Sequence, residues 1–123
     1  TIWSERVMAT FTIQDRYYSC PVELAVSVIE GKWKVLILWN LRGQTLRYSA
    51  LRDAIDGISD KMLAQQLREL DEDGLVHREV YPVVPPKTEY SLTEEGQRMV
   101  PVLMAMQQWG LAYKDQGATA ADA

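Results

Sequence analysis

The sequence predicts an α+β fold that is mainly α-helical. Two short amphipathic helical segments are joined by a tight turn at Asp56-Gly57. Two β-like segments separated by a proline-rich loop follow at once, as in a hairpin. A long apolar helical segment then closes the chain. This order is typical of a winged helix-turn-helix, and we expect the helices near the chain termini to be dimerisation helices.

The 123 residues have the composition of one globular domain, with 47% hydrophobic and 24% charged residues. No run reaches about 18 apolar residues, so we expect no transmembrane helix and no membrane partner. No basic region followed by an apolar block opens the chain, so we expect a cytoplasmic protein. One cysteine and one histidine exclude an intrachain disulfide and a Cys/His zinc site within these residues. We therefore expect no metal and no cofactor.

Residues 1–19 are open to two interpretations. Trp3, Val7, Met8 and Phe11 fit a helical stripe, whereas residues 9–13 fit a strand. We interpret residues 1–19 as a dimer-associated arm or helix. We expect residues 20–113 to form the winged-helix domain with its C-terminal dimerisation helix, and residues 114–123 to form a flexible tail, in which 117–123 are mostly small residues.

Three helices are predicted in the first half of the domain. Pro21 suits the first position of a helix, and apolar residues recur at helical spacing up to Ile29. Gly31 separates this helix from a second one at 32–41, which is apolar nearly all round. A third, short amphipathic helix covers 47–55.

A fourth helix and a hairpin follow. Ser59 is a good N-cap residue for the fourth helix, and Gly74 ends it. One face of this helix is buried; its leucines are Leu63, Leu67 and Leu70. The hairpin strands lie at 75–81 and 87–92. Thr93 caps the last helix, which runs to about Tyr113.

The outward face of the fourth helix carries Lys61, Gln65 and Arg68, which lie within about 40° of the position opposite Leu63 at 100° per residue. Glutamine can pair bidentately with adenine, and lysine or arginine with guanine. A major-groove reader presents such residues, most often from the N-terminal half of its recognition helix. An ordinary solvent-exposed helix can carry the same residues, so the hairpin is needed to support this hypothesis.

The net charge of −4 argues weakly against a nucleic-acid partner, but the placement of the basic residues matters more. Arg47 opens the third helix, while Arg78 and Lys87 lie on the hairpin, where they would meet phosphates or the minor groove. We expect these cations to share one face with the fourth helix. The candidate DNA-binding residues are Arg47, Ser59, Lys61, Met62, Gln65, Gln66, Arg68, Arg78 and Lys87.

A set of motifs, in order and spacing, closely resembles the HxlR-type winged-helix transcriptional regulators over roughly residues 20–110. The motifs are Cys20-Pro21-Val22-Glu23, Gly31-Lys32-Trp33, Gly57-Ile58-Ser59, Leu67-Arg68-Glu69-Leu70, Gly74-Leu75-Val76, Val80-Tyr81-Pro82, Val84-Pro85-Pro86, Tyr90-Ser91-Leu92-Thr93-Glu94-Glu95-Gly96 and Trp109-Gly110. Glu30 stands where the family has the first glycine of Gly-Gly-Lys-Trp, and Arg47-Tyr48 stands for its usual Arg-Phe. The resemblance implies a bacterial or archaeal regulator that binds double-stranded DNA as a homodimer.

The last helix agrees with the implied homodimer because it is apolar nearly all round. One face can pack on the domain and the other then needs a partner, although a fully buried monomer helix is the competing explanation. A two-fold dimer would bind an inverted-repeat operator. The candidate dimer-interface residues are Val102, Leu103, Met106, Trp109 and Tyr113.

Cys20 is the candidate switch residue. A helix N-terminus favours the thiolate form of cysteine. The resemblance implies that Cys20 senses oxidants or small electrophiles, as some relatives do at this position, by forming a mixed or intersubunit product. Two alternatives stay open. In the first, Cys20 is only a small buried hydrophobic residue, and a non-covalent ligand binds among Trp33, Trp39, Tyr48 and Trp109. In the second, the regulator has no effector.

The sequence argues against two further function classes. The chain has no glycine-rich phosphate loop, and its one histidine, His77, lies on the wing, so we expect no enzyme activity. A winged helix used for protein–protein contact is the other class. That class should carry apolar or acidic groups at positions 61 and 65, and this chain carries Lys61 and Gln65.

Overall fold

A computed structural model describes residues 11–117 and confirms the mainly α-helical winged helix-turn-helix. Its elements, in chain order, are β1 (Phe11–Ile13), β2 (Arg16–Tyr18), α1 (Pro21–Ile29), α2 (Lys32–Leu41), β3 (Leu46–Arg47), α3 (Tyr48–Ala54), α4 (Asp60–Glu72), β4 (Val76–Tyr81), β5 (Lys87–Leu92) and α5 (Glu94–Gly117). Helices α3 and α4 are the helix-turn-helix, and the β4–β5 hairpin is the wing.

A short hairpin occupies the described part of the N-terminal segment. β1 and β2 pair antiparallel, with Phe11 opposite Tyr18. Gln14 and Asp15 have φ angles of 52° and 65°, the left-handed region that a two-residue hairpin turn requires. The strand interpretation is therefore confirmed for Phe11–Ile13, and the helix interpretation is wrong there. The candidate helical positions Trp3, Val7 and Met8 lie outside the described residues.

The wing belongs to a three-stranded antiparallel sheet with strand order β3-β5-β4. The sequence pattern did not predict β3. In this strand Leu46 pairs with Tyr90 and Arg47 with Glu89, so α3 begins one residue later than expected. Two residues are too few to show a β period, and β3 forms only because β5 offers it an unpaired edge.

The hydrophobic core lies between α2, α4 and the sheet. Ile37, Leu38 and Leu41 of α2 have no exposed surface. The predicted buried face of α4 is confirmed, because its three leucines are at most 2% exposed; they are Leu63, Leu67 and Leu70. Burial of such side chains stabilises a fold by roughly 1.5–3 kcal/mol each. This packing fixes one side of α4 against the domain and leaves the other side outside.

The last helix is anchored at its first turn. Thr93 Oγ1 accepts a hydrogen bond from the Gly96 N–H at 3.0 Å and donates one to the Gly74 carbonyl at 2.6 Å, which confirms the predicted cap. The helix continues to Gly117, four residues beyond the predicted end at Tyr113. Lys114 lies in the last turn, where a cation is favourable. Over residues 11–117, no helix is both long and apolar enough to cross a bilayer.

Candidate nucleic-acid interface

The junction of α3 and α4 is fixed by polar contacts to Asp60. The Tyr48 hydroxyl donates to the Asp60 backbone carbonyl at 3.1 Å, and Arg52 Nη1 lies 3.2 Å from Asp60 Oδ1. Burial and the Asp60 carboxylate raise the pKa of Tyr48, which favours the neutral hydroxyl as a hydrogen-bond donor. Asp60 also raises the pKa of Arg52. These contacts cross the turn between two helices, and no periodicity in the sequence reveals them.

The N-terminus of α4 is capped by Ser59, as predicted. Its Oγ accepts a hydrogen bond from the Met62 N–H at 3.1 Å. The Ser59 side chain is thus a capping group first, with its hydroxyl hydrogen still able to donate outward. Amide groups of a helix's first turn that have no intrahelical partner form the kind of site that can bind an anion.

The outward face of α4 is basic. Lys61, Ala64 and Arg68 are exposed. Neither cation forms a salt bridge with any carboxylate in residues 11–117. Met62 and Gln66 are half-buried, and Met62 packs against the core. The structure therefore places Lys61 and Arg68 fully outward, and the other two candidates at the margin of this face.

Gln65 is held by a charged neighbour. Its Nε2 donates to Glu69 Oε2 at 3.2 Å, and Glu69 Oε1 lies 2.6 Å from Lys34 Nζ of α2. Hydrogen bonds from Lys34 and Gln65 lower the pKa of Glu69. Lys34 is not among the residues predicted for the site, although a lysine within an otherwise apolar helical run is a signal that the sequence shows.

The register of the wing directs Arg78 toward α4. Arg78 pairs with Tyr90, and Val76, two residues before it on the same face, is buried in the core. A groove of about 270 Å³ lies between α4 and the sheet, and both Arg68 and Arg78 line it. Asp71 lines the same groove. The recognition helix and one strand of the wing thus bring two guanidinium groups to one concavity.

Lys87 and Arg47 lie on the other face of the sheet. Lys87 Nζ is 3.3 Å from Glu89 Oε2 and 4.9 Å from the centroid of the Tyr81 ring. Hydrogen bonding to Glu89 raises the pKa of Tyr81. Arg47 is directly opposite Glu89 in the register, and with Lys87 it borders a second groove, between the start of α3 and the loop 82–86. The cations expected on one face are therefore divided between two grooves.

Cys20 lies directly before α1 as the N-cap residue, with a half-buried, free thiol. Its carbonyl accepts the Leu24 N–H at 3.2 Å. The preceding N–H, of Ser19, donates to Glu23 Oε1 at 2.9 Å, so a carboxylate also lies at this helix start. Cys20 thus lies at the predicted start of a helix, and the residue as a whole is half-buried.

Apolar side chains are exposed on α1 and α5. Val22 and Val26 of α1 are 57% and 53% exposed. On α5 the exposed apolar residues include four of the five dimer candidates, namely Val102, Met106, Trp109 and Tyr113. Leu103 requires a correction, because it is 4% exposed and packs in the protomer's own core, where it has almost no surface to offer a partner.

The aromatic residues proposed to line a ligand pocket do not gather around one cavity. Trp39 borders an apolar groove of about 290 Å³ between α2 and α5, together with Met106. Tyr48 borders the groove beside the wing loop, and Trp109 stacks on Tyr113 with ring centroids 4.8 Å apart. Trp33 packs against the core.

Comparisons with known proteins agree with this architecture. The profile of the HxlR-like helix-turn-helix family matches residues 28–118. The HTH-type transcriptional regulator YdeP of Bacillus subtilis, itself uncharacterised, is 47% identical over 102 residues, covering 83% of this chain and 80% of the relative.

Two regulators of known structure, one of them the redox regulator HypR, are similar in structure. HypR in its oxidised form is 46% identical with a TM-score of 0.71, covering 76% of this chain and 96% of that protein. Its reduced form gives 45% identity and a TM-score of 0.74, covering 77% and 94%. The reduced form of the Bacillus subtilis transcriptional regulator YodB is 36% identical with a TM-score of 0.69, covering 81% and 99%.

Proposed function

The chain belongs to the HxlR-like helix-turn-helix family, and we propose that it binds an operator in double-stranded DNA as a homodimer, through α4 and the wing. Its relatives are transcriptional regulators, so the chain is a regulator of the helix-turn-helix type and not an enzyme. One observation carries the proposal about DNA: the outward face of α4 is basic and unpaired within residues 11–117 of a chain whose net charge is −4.

The pattern of ion pairs supports the proposal that the basic face of α4 binds DNA. Several carboxylates near α4 and the wing already have cation partners: Asp60 pairs with Arg52, Glu69 with Lys34 and Glu89 with Lys87. Lys61, Arg68 and Arg78 have no such partner among the described residues. Exposed unpaired cations attract phosphates, and the release of counterions from DNA drives their binding.

We assign base contacts to the N-terminal half of α4. Lys61 can donate to guanine, Gln65 can pair with adenine, and Ala64 can contact a thymine methyl group. Met62 and Gln66 lie at the margin and would make secondary contacts. The remaining candidates would contact the sugar–phosphate backbone, where they position the protein without reading sequence; they are Arg47, Ser59, Arg68, Arg78 and Lys87.

The homodimer is proposed from the apolar surfaces of α1 and α5. Val102, Met106, Trp109 and Tyr113 leave large apolar areas in water, which a second copy would cover. A two-fold axis relating two α4 helices predicts an inverted repeat. Its half-sites would lie about 10 base pairs, or a small multiple of that, apart.

Cys20 is proposed as a thiol switch. HypR carries the name redox regulator, and Cys20 is a free, half-buried cysteine next to the exposed α1 face. Two Cys20 thiols, one from each protomer, would join as a disulfide, and an added oxidant such as diamide would take up the two electrons and two protons that they release. A non-covalent ligand in the α2–α5 groove is the second candidate, because that groove is apolar and borders the proposed interface.

The test of DNA binding is selection of bound sites from random-sequence DNA by the reduced protein. We expect enrichment of an inverted repeat. Gln65→Ala and Lys61→Ala should each lose preference at one base pair per half-site, with a cost of about 1–3 kcal/mol. Lys114→Ala removes the same charge as Lys61→Ala at the far end of α5 and should leave the site unchanged. An equal loss on all sequences would contradict the assigned base contacts.

The test of the switch repeats operator binding after diamide, with Cys20→Ser as the control. Binding that changes in the wild type alone supports the thiol switch. Operator binding that diamide does not change contradicts the thiol switch. The α2–α5 groove is then tested by screening small molecules for an effect on operator binding, and Trp39→Ala should abolish the effect of a molecule that binds in this groove.

A further inference from the structure

We infer that Lys34 and Glu69, which lie outside the proposed base contacts, are positioning residues that determine how Gln65 reads its base pair. The inference rests on the proposed function. It concerns an interaction that crosses from the core helix α2 to the recognition helix α4, and it predicts that a buried residue controls DNA sequence preference.

Lys34 has an unusual place for a lysine. Within residues 11–117 it is the one charged residue in the buried set, with 7% of its surface exposed. A buried ammonium group is unfavourable unless it is paired. Its partner is Glu69, with Nζ 2.6 Å from Oε1. Because the side chain of Lys34 is almost fully buried and its ammonium group contacts Glu69, it holds the Glu69 carboxylate in one position beside α4.

The second oxygen of the same carboxylate holds Gln65. Gln65 Nε2 donates to Glu69 Oε2 at 3.2 Å, one helical turn away. The carboxylate is an acceptor only, so the nitrogen of the Gln65 carboxamide must face Glu69 and the oxygen must face away. The same two hydrogen bonds, from Lys34 and Gln65, lower the pKa of Glu69, which favours the ionised carboxylate that this orientation requires.

An anchored carboxamide still has the groups needed to recognise a base. One N–H of Nε2 and both lone pairs of Oε1 remain free, and adenine requires one donor and one acceptor from glutamine. Fixing the Gln65 carboxamide before binding excludes the flipped orientation, in which its oxygen and nitrogen exchange places. The rotamer freedom that would otherwise be lost on binding is also reduced. Without Lys34, both advantages weaken.

The test uses the full chain and the operator obtained by selection. Binding is measured on a panel of operators, each with one base pair replaced. We expect the wild type to discriminate about 5- to 150-fold at the Gln65 base pair, the range for one bidentate contact. Lys34→Met should reduce that ratio to within about threefold of the Gln65→Ala value. Discrimination at the other base pairs and the salt dependence of binding should not change, because Lys34 is too buried to contact phosphate.

Three comparisons make the result specific. Lys32→Met removes the same charge from an exposed position two residues away and should keep full discrimination. Lys34→Met combined with Gln65→Ala should lose no more than Gln65→Ala alone. Glu69→Gln retains the size of the side chain but removes the ionised carboxylate, and it replaces Lys34→Met if the latter does not fold by circular dichroism.

Each outcome is decisive. A folded Lys34→Met or Glu69→Gln protein with wild-type preference at every base pair overturns the inference alone. A uniform loss at all base pairs also overturns it, because that result indicates a general disturbance of α4. If the wild type enriches no sequence, the proposed function and this inference fail together.

Discussion

Replacement of Gly96 by alanine tests how the last helix is joined to the domain. An added Cβ would lie far inside contact distance of the Leu75 carbonyl oxygen and 3.2 Å from Leu92 Cβ. The Leu75 oxygen is backbone and already accepts the Thr93 N–H at 3.0 Å, so it cannot move without loss of that bond. Forced overpacking costs roughly 1–3 kcal/mol, and a lost hydrogen bond adds about 1 kcal/mol. The higher helix propensity of alanine offsets about 1 kcal/mol of this destabilisation.

The net expectation is a loss of about 2 kcal/mol in the free energy of unfolding. For a chain of 123 residues, the entropy of unfolding is such that each kcal/mol lost from the free energy of unfolding lowers Tm by about 4 °C. Tm should therefore fall by about 8 °C. Calorimetry at one fixed protein concentration measures this, because dimerisation would make Tm depend on concentration. Gln97→Ala, an exposed neighbour in the same turn, should stay within about 0.5 kcal/mol of the wild type. A Gly96→Ala protein with wild-type Tm would refute the close approach of α5 to Leu75.

Three further predictions concern α4 and the wing. Ser59→Ala should lower the free energy of unfolding by about 1 kcal/mol and Ser59→Gly by only a few tenths, in urea titrations; equal losses would contradict the cap. Because the folded-state pKa of Glu69 lies below its unfolded value, the Lys34–Glu69 pair stabilises the fold above the unfolded pKa of about 4.3 and loses this effect as pH falls through the folded pKa. Urea unfolding from pH 7 to pH 3 should therefore be less steeply pH-dependent for Lys34→Met than for the wild type, and parallel curves would contradict the pair. Arg78→Ala should make the slope of log affinity against log salt shallower by about 0.9, as expected for one lost phosphate contact. Fluorescence anisotropy at several salt concentrations measures this slope, and an unchanged slope would contradict the contact.

Features determined by neighbouring residues could be predicted from the sequence. The caps at Ser59 and Thr93 depend on one side chain and the next turn of backbone. The buried face of α4 follows from the helical period of its leucines, which requires no knowledge of the partner helix. The hairpin was predicted because prolines stop one strand and begin the next within a few residues.

Features that depend on packing between elements could not be predicted in this way. The bond from Lys34 to Glu69 joins residues 35 positions apart and requires the crossing of α2 and α4. The division of Arg78 and Lys87 between two faces follows from the strand register, in which Tyr81 opposes Lys87. Leu103 was predicted at an interface because an apolar stripe does not show which side meets the domain. The assignments of DNA-binding residues, dimer interface and thiol switch stay predictions.

The central claim is that the basic face of α4, together with the wing, recognises a DNA sequence. The most direct measurement is a competition titration of the reduced protein between its selected operator and random DNA of equal length, at one fixed salt concentration near 0.15 M. We expect an affinity ratio of about 10³ or more, which Gln65→Ala should reduce and Lys114→Ala should not. A ratio near one, with tight binding to both DNAs, would show binding through charge alone and would contradict sequence recognition by α4.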